Sequence, residues 1–387
     1  MNYNNFEIKL LFTGGGTGGH IFPILSIARE IKKRAPDSLK IKMVFIGPEK
    51  QIPNDLFEKE GIKVKNIVTG KIRRYITPSS VFQNFLDIFF RIPFGVLQSF
   101  FYIFFFYPDL IVSKGGYGAF PPSIVAKILQ VPTFLHESDI VPGTVNKMLA
   151  KSALEIFVSF PETKGFPKEK MILVGNPIRE SLIKAPNEIE IKEKINITKE
   201  KPVIFIIGGS QGSERINDLI LNAIPELVSK YQIIHQCGSN NSKKLISQTD
   251  FLIPKEFKKN YYLFPFLNED QLKCAYHVSD VIISRAGSGS IFEISAIGKP
   301  SILIPLPESA QNHQIKNAYS YSGFGASLVM EERNITPHLF TEKLTNLINN
   351  EKTMERMKRK AREFSRPRSA EIISEYIVEF LKQYLEE

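Results

Sequence analysis

The sequence predicts an α/β protein built from two parallel-sheet domains, and three observations support that fold class. Short runs of β-branched and aromatic residues alternate with amphipathic helical patterns along most of the 387 residues, which is typical of parallel strands joined by crossover helices. The alternation pauses in a stretch rich in Pro and Lys and then starts again. In each half, a glycine-rich segment directly follows the first apolar run. We therefore expect two Rossmann-like domains whose glycine turns face one another across a cleft.

The predicted strands form two groups. In the first half they cover residues 8–12, 41–46, 64–68, 110–113, 133–136 and 156–159. In the second half they cover residues 203–207, 233–236, 261–264, 281–284 and 301–304. Helical patterns at 21–31 and 216–227 follow the two glycine segments, and a last one covers 369–385.

The domain boundaries follow from this rhythm. We expect an N-terminal domain over residues 1–163, a hinge over 164–184, a C-terminal domain over 185–365 and a terminal helix over 366–387. The N-terminal and the C-terminal domain are both candidates for the surface on which this last helix packs. The hinge is placed where Gly165, Pro167 and Gly175-Asn176-Pro177 crowd together. The length of the chain also suits two domains better than one.

The composition narrows the classes of partner. Hydrophobic residues make up 43% and charged residues 23%, as in globular proteins. The net charge of +10 favours an anionic partner, which could be nucleic acid, an acidic bilayer or a phosphorylated substrate. Cys237 and Cys274 have neither disulfide-framework nor metal-site spacing. Because residues 1–11 also lack a signal-peptide pattern, we expect a cytoplasmic protein.

The first glycine segment, Thr13 to His20, contains five glycines and ends on a histidine. Such a turn brings backbone N–H groups close to an anion at a helix N-terminus, and the histidine can exchange a proton near neutral pH. The spacing Gly14-x-Gly16-x-x-Gly19 also fits a dinucleotide fingerprint. However, the second strand runs into Gly47-Pro48 rather than an acid, and no P-loop Lys follows. A turn without a ligand stays a third possibility.

The second half carries two further signals. Residues 208–213 (GGSQGS) form another strand-to-helix glycine turn. Residues 285–293 (RAGSGSIFE) place Arg285 at a strand end and Glu293 near the first turn of a helix. A carboxylate there can accept hydrogen bonds from two ribose hydroxyls while helix N–H groups bind a diphosphate. Alternatively, the acid only complements the helix dipole.

Six motifs occur in one order: GGGTGGH, HESD-x-VPG, GNPIR, GGSQGS, RAGSGSIFE and HQ-x-x-NA. From about residue 10 to 329 the chain resembles the GT-B glycosyltransferases of family 28 that attach GlcNAc to lipid I. The resemblance implies a hexosyltransferase that moves GlcNAc from UDP-GlcNAc to the C4 hydroxyl of MurNAc with inversion. Two alternatives stay open: a related diacylglycerol glycosyltransferase and, from another class, a nicotinamide-dependent oxidoreductase.

The resemblance also implies roles for individual residues. His20 would be the catalytic base. The residues implied in binding UDP-GlcNAc are Thr17, Gly18, Gly19, Asp139, Arg179, Ser210, Leu267, Ser288, Gly289, Ser290, Ile291, Phe292, Glu293 and Gln314. Those implied in the acceptor side or cleft are His136, Glu137 and Tyr117. The chain departs from the family at Asp139, where an amide is usual, so a hydrogen-bond donor is lost and a charge is added. His136 could equally be a packed strand-end histidine.

A basic and aromatic segment follows the third predicted strand. Lys71, Arg73 and Arg74 precede Phe82, Phe85 and Phe89 at helical spacing, a pattern that suits an interfacial helix on anionic lipid. The denser run at residues 100–107 is shorter than the roughly 20 residues of a membrane span, and we expect it to be a core helix. The resemblance implies UDP-GlcNAc, lipid I and an anionic membrane surface as partners, with no nucleic acid, no cofactor and no metal. It implies a peripheral location on the cytoplasmic face of the bacterial cell membrane.

Overall fold

The computed structural model describes residues 7–36, 39–49, 55–73, 77–209 and 211–386. It divides into two compact units. Unit 1 spans Met1–Ile178 together with Arg368–Glu387, and unit 2 spans Arg179–Pro367. Each unit holds one sheet of parallel strands with crossover helices, so the predicted fold class of two parallel-sheet α/β domains is confirmed.

Unit 1 contains a seven-stranded sheet in the order β3-β2-β1-β4-β5-β6-β7. Its strands are β1 (Glu7–Thr13), β2 (Lys40–Gly47), β3 (Ile62–Asn66), β4 (Leu110–Ser113), β5 (Thr133–Glu137), β6 (Glu155–Val158) and β7 (Met171–Leu173). The helices before unit 2 are α1 (Gly18–Arg34), α2 (Asp55–Lys59), α3 (Pro78–Leu86), α4 (Ile92–Phe106), α5 (Phe120–Ile128) and α6 (Thr144–Leu149). Leu10, Leu11 and Phe12 of the central strand are fully buried, as expected for a strand covered on both faces.

Unit 2 contains a six-stranded sheet in the order β10-β9-β8-β11-β12-β13. Its strands are β8 (Val203–Ile207), β9 (Gln232–Gln236), β10 (Tyr261–Phe264), β11 (Val281–Ser284), β12 (Ser301–Leu303) and β13 (Ser327–Val329). Its helices are α7 (Glu188–Ile195), α8 (Glu214–Lys230), α9 (Ser242–Leu252), α10 (Glu269–Val278), α11 (Ser288–Ile297), α12 (His313–Gly323), α13 (Pro337–Ile348) and α14 (Glu351–Phe364).

The last helix, α15 (Ser369–Glu386), belongs to unit 1. Ile373 and Ile377 on this helix are buried in the same core cluster as β1 and α1. Arg34 at the end of α1 pairs with Glu371 at 2.8 Å. The chain therefore returns from unit 2 to complete the core of unit 1.

Each sheet has a topological switch point, where the strand order reverses between two paired strands. In unit 1 it lies between β1 and β4, and in unit 2 it lies between β8 and β11. Ligands of open α/β sheets bind at the carboxyl ends of the strands at such a switch point. Each of the two glycine segments predicted from the sequence follows one of these strands: the first follows β1 and the second follows β8.

One sequence expectation about the fold is wrong in part. Residues 100–107 were expected to form a core helix, yet they lie at the end of a continuous helical stretch, Pro78–Phe106, which contains a π-helical turn at Asp87–Arg91. Ile103 is buried, but Phe101, Phe104 and Phe105 are exposed. Within the described ranges, this stretch is long and apolar enough to cross a membrane, and only 17% of its most apolar part is buried.

Candidate active site

The first glycine turn places His20 at the start of α1. Thr17 is the N-cap residue of α1 but makes no side-chain capping bond. Its Oγ1 instead lies 3.0 Å from Nδ1 of His20. Thr17 and Gly19 are exposed, and Gly18 and His20 are half-buried. The N–H groups at the start of α1, of which that of His20 donates to the Thr17 carbonyl at 3.0 Å, therefore lie beside an imidazole at the carboxyl end of β1.

A second glycine turn, which follows β4, packs against the first. A Cβ at Gly15 would come within 2.9 Å of Nδ1 of His20, and a Cβ at Gly116 would come within 2.9 Å of Nε2. Gly116 also has a φ of +82°, which favours glycine. The imidazole is thus enclosed between two bare backbones. Tyr117 comes next and is exposed.

The carboxyl end of β5 holds the HESD segment. His136 is fully buried, its Nε2 donates to the Gly175 carbonyl at 3.0 Å, and burial lowers its pKa well below the usual value. This arrangement favours the packing role that the sequence left open. Glu137 accepts hydrogen bonds from the amides of Gly143 (2.8 Å) and Asp139 (3.1 Å), so it anchors the loop that follows.

Lys114 is a buried residue of this site that sequence reasoning missed. It follows β4 directly, and its Nζ contacts His136, Ser138 and Asn176. Burial lowers the pKa of Lys114 to about 7, against the opposing attraction of Glu137 and Asp139. A single lysine between an apolar strand and a glycine turn gives no sequence signal for such a cluster.

In unit 2 the turn after β8 is held by close backbone packing. A Cβ at Gly212 would lie 2.0 Å from the carbonyl oxygen of Cys237, and a Cβ at Gly238 would lie 2.1 Å from that of Gln211. Nε2 of Gln236 donates to the Gly209 carbonyl at 3.1 Å. The predicted phosphate contact Ser210 lies outside the described residues. The turn leads into the N-terminus of α8, which is a suitable place for an anion.

The RAGSGSIFE segment forms the turn after β11 and the start of α11. A Cβ at Gly287 or Gly289 would meet no atom within 4 Å, so there is open space at the N-terminus of α11. Ser288 is mostly buried and Ser290 is half-buried. Ile291 and Phe292 point their side chains into the core, so their placement positions the helix.

Glu293 lies just beyond the first turn of α11. It is the sixth residue of the helix, in the second turn, and the first turn contains no acid. Glu293 is thus next to the first turn rather than within it. The effect of the helix dipole is concentrated in the first turn, so the alternative in which this acid only complements the dipole loses its support.

Arg179 and Tyr276 hold the Glu293 carboxylate from two sides. Arg179 donates to Oε1 at 2.7 Å through Nη2, and the Tyr276 hydroxyl donates to Oε2 at 3.1 Å. Burial alone would lower the pKa of Arg179, but Glu293 raises it above its ordinary value. Burial, and then Glu293, raise the pKa of Tyr276. Tyr276 was missed because its spacing from Glu293 carries no pattern in the sequence.

Two other residues predicted to bind the sugar donor follow β10 and β12 in the chain. Leu267, which follows β10, is buried, and its amide donates to Oε1 of Gln236 at 3.2 Å. Gln236 thus connects the turn after β8 with Leu267. Gln314 on α12 is half-buried, and its Oε1 accepts from the Leu306 amide at 3.0 Å.

The predicted membrane-contact residues lie on and beside α3. Phe82, Phe85 and Phe89 are exposed, the last at 62% of its surface. Arg73 pairs with buried Asp87 at 2.7 Å, and Lys71 is exposed with its amide donating to the same carboxylate at 3.3 Å. Arg74 lies outside the described residues.

Asp87 orders this basic segment. Burial by itself would raise the pKa of Asp87, but hydrogen bonds from Arg73, Arg91 and the Lys71 amide lower it overall. The carboxylate therefore stays charged and holds both guanidinium groups beside the aromatic face.

Among the side chains that the structure describes, no three His, Cys, Asp or Glu residues are grouped as a metal site would require.

Comparison with known proteins covers both units. The glycosyltransferase family 28 N-terminal domain matches residues 10–158, and the family 28 C-terminal domain matches residues 203–373. A Clostridium tetani protein named UDP-N-acetylglucosamine--N-acetylmuramyl-(pentapeptide) pyrophosphoryl-undecaprenol N-acetylglucosamine transferase is 38% identical over 353 residues, which are 90% of this chain and 93% of that protein. A Bacillus cereus protein of the same name, numbered 2, is 37% identical over 330 residues, 85% of this chain and 88% of that one.

Solved structures agree in fold. The crystal structure of Acinetobacter baumannii MurG matches with a TM-score of 0.71 at 23% identity, covering 96% of this chain and 99% of that one. A Staphylococcus aureus MnaA–UDP complex matches with a TM-score of 0.68 at 15% identity over 97% of both chains. The matches to both family domains and to full-length relatives assign the chain: it belongs to glycosyltransferase family 28.

Proposed function

We propose that the protein is an inverting N-acetylglucosaminyltransferase that converts lipid I to lipid II in peptidoglycan synthesis. It moves GlcNAc from UDP-GlcNAc to the C4 hydroxyl of MurNAc in undecaprenyl-pyrophosphoryl-MurNAc-pentapeptide. The observation that carries the proposal is the 38% identity to a relative of that name across 90% of the chain. Both units, and therefore both sets of strand-end residues described above, fall within that similarity.

The donor site proposed here lies in unit 2. The uridine ribose is held by Glu293, whose carboxylate Arg179 and Tyr276 already orient. The diphosphate is held by N–H groups at the starts of α8 and α11 and by the Arg179 guanidinium. Open space beside Gly287 and Gly289 gives the ligand room to approach. These hydrogen-bond donors are fixed before the reaction, so they stabilise the charge that develops on departing UDP.

The base that we propose is His20 in unit 1. When Nδ1–H donates to Oγ1 of Thr17, Nε2 is the ring atom that accepts a proton. The C4 oxygen of MurNAc bonds to C1 of GlcNAc as the bond from C1 to the UDP oxygen breaks, and the hydroxyl proton passes to Nε2. A single displacement inverts C1, from α in the donor to β in the product.

We predict that the protein transfers radiolabelled GlcNAc from UDP-GlcNAc into lipid only when a lipid I analogue is present. His20→Ala should lower kcat by about 100-fold or more because the base acts in the transition state. The affinity for UDP, measured by calorimetry, should stay within about twofold of the original value, since the donor site lies in unit 2.

Two competing activities serve as outcomes of this assay. Label that enters diacylglycerol instead would assign the chain to the related lipid glycosyltransferases. NADH oxidation without sugar transfer would point to an oxidoreductase. Equal losses of turnover and of UDP affinity in His20→Ala would remove His20 as the base.

We predict that Glu293→Gln raises the donor KM by about 10-fold to 100-fold, because a charge-assisted hydrogen bond contributes about 1.5–3 kcal/mol. Tyr276→Phe removes the hydroxyl that orients Glu293 and should raise the donor KM by up to about tenfold. The kcat and the acceptor KM should change little. Steady-state kinetics with each substrate varied in turn measures these constants.

Tyr261→Phe is the matched control for the tyrosine. Tyr261 is a half-buried tyrosine of unit 2, and its hydroxyl hydrogen-bonds Nδ1 of His235 at 2.8 Å. Its loss should leave the donor KM unchanged. An unchanged donor KM in Glu293→Gln would reduce Glu293 to a structural partner of Arg179.

We also propose that unit 1 binds the cytoplasmic face of the membrane peripherally through the helical stretch Pro78–Phe106. Phe82, Phe85 and Phe89 form its apolar face, and Lys71 and Arg73 supply positive charge beside it. Gly95, in the middle of the stretch, packs so tightly that a Cβ would lie 2.0 Å from the Val68 carbonyl oxygen. A helix that rests on its own unit in this way suits the bilayer surface better than its interior.

We predict that the triple variant Phe82→Ser, Phe85→Ser and Phe89→Ser binds anionic vesicles at least about tenfold more weakly, since burying one such side chain is worth about 1.5–3 kcal/mol. Sedimentation with phosphatidylglycerol vesicles measures the binding, which should also weaken with added salt. Phe251→Ser is the control, because Phe251 on α9 of unit 2 is 90% exposed. Equal binding by the two variants would reject this surface.

A further inference from the structure

Lys114 is a buried lysine that no role described above uses directly. Only 4% of the residue is exposed. Its backbone amide donates to the carbonyl of Thr13 at 2.8 Å, and a Cβ at Gly14 would lie 3.4 Å from Cβ of Lys114. The residue therefore packs directly against the start of the first glycine turn, at the switch point between β1 and β4.

The side chain of Lys114 joins three further segments of unit 1. Its Nζ donates to Oδ1 of Asn176 at 2.9 Å and contacts Nδ1 of His136 and Oγ of Ser138. Because Nε2 of His136 donates to the Gly175 carbonyl, Nδ1 is the acceptor. Three acceptors thus match the three N–H donors of an ammonium group.

The same residue is continuous with the turn that encloses His20. Gly115 and Gly116 follow Lys114, and Gly116 packs on Nε2 of the imidazole. Gly115 is confined from the other side, since a Cβ there would lie 2.7 Å from Oδ1 of Asn146. Asn146 in turn donates to the His136 carbonyl at 3.2 Å. Movement of the Lys114 side chain would therefore be passed to the backbone beside His20.

We propose that Lys114 is a positioning residue for His20: by tying the carboxyl ends of β4 and β5 to Asn176, its side chain fixes the Gly115–Gly116 turn against the imidazole. This inference rests on the proposed role of His20 as the base. The three-acceptor geometry requires the ammonium form, since a neutral amine has only two N–H groups. The position of His20 therefore depends on the charge of Lys114.

The charge of Lys114 changes in a useful pH range. Burial lowers its pKa to about 7, with Glu137 and Asp139 acting in the opposite direction. Burial also lowers the pKa of His136, the neighbour on β5, and raises that of Glu137 to about 6. Both neighbours therefore titrate on the acid side, and we expect the loss of the Lys114 proton to lower activity above pH 7.

The test compares kcat/KM for a lipid I analogue in the full-length protein between pH 6 and pH 9. Lys114→Met keeps the length of the side chain but has no charge. At pH 6.5 it should be about 10-fold to 100-fold less active than the original protein, as expected for a misplaced base. At pH 9 the kcat/KM values of the original protein and of Lys114→Met should differ by no more than about twofold, because Lys114 of the original protein has lost the same charge.

Ser138→Ala is the milder variant, and it keeps the proposal testable if Lys114→Met folds poorly by circular dichroism. Removing one acceptor disfavours the ammonium, so the falling limb of the pH profile should move to lower pH. Lys299→Met is the matched control, since Lys299 is a half-buried lysine of unit 2 that donates to the carbonyls of His277 (2.6 Å) and Ser279 (2.7 Å).

The outcomes separate this proposal from the proposed function. No transfer by the original protein would reject the transferase activity itself. Transfer with a falling limb that stays in place in both Lys114→Met and Ser138→Ala would reject the role of Lys114 alone. The role of Lys114 would also be rejected if Lys299→Met changed the pH profile in the same way as Lys114→Met.

Discussion

Close backbone packing of glycine turns at the ends of parallel strands is the constraint on which both units depend. In unit 1 a Cβ at Gly118 would lie 2.7 Å from the Gly14 carbonyl oxygen, and in unit 2 a Cβ at Gly212 would lie 2.0 Å from that of Cys237. Side chains at these positions would push the turns apart. With bare backbones, the turns of each unit bring helix N-termini and strand ends together at the switch point of its own sheet, and in unit 1 the His20 ring lies there as well. N–H groups at such a place can bind an anion.

The two units use buried charge in different ways. In unit 2, Glu293 has charged and neutral donors on its two oxygens, from Arg179 and Tyr276, so its orientation is set before any ligand arrives. In unit 1, Lys114 is surrounded by three acceptors and lies near two carboxylates. A buried charge is tolerated only when its hydrogen bonds are satisfied. The Lys114 cluster therefore links the carboxyl ends of β4 and β5 with Asn176, and the Glu293 cluster links α10 and α11 with Arg179.

Much of the fold was readable from the sequence, because buried parallel strands are apolar runs and glycine turns punctuate them. The strands β7 and β13 were missed because each has only three residues and is largely half-buried, whereas the equally short β12 is fully buried and begins an apolar run. Residues 100–107 were predicted as a core helix, although several of their side chains are exposed, because the sequence of an aromatic run does not show whether protein or lipid covers it. In the site, motif residues such as Glu293 could be named, but Lys114 could not: its partners lie 22 to 62 residues away, and only folding brings them together.

The central claim is that the donor nucleotide binds at the strand ends of unit 2. Amide hydrogen exchange with and without saturating UDP tests it most directly, because the first-turn amides of a helix lack internal acceptors and exchange readily until a ligand binds them. We predict the largest protection in residues 208–213 and 287–290. Protection confined to residues 14–20, with none in unit 2, would contradict it.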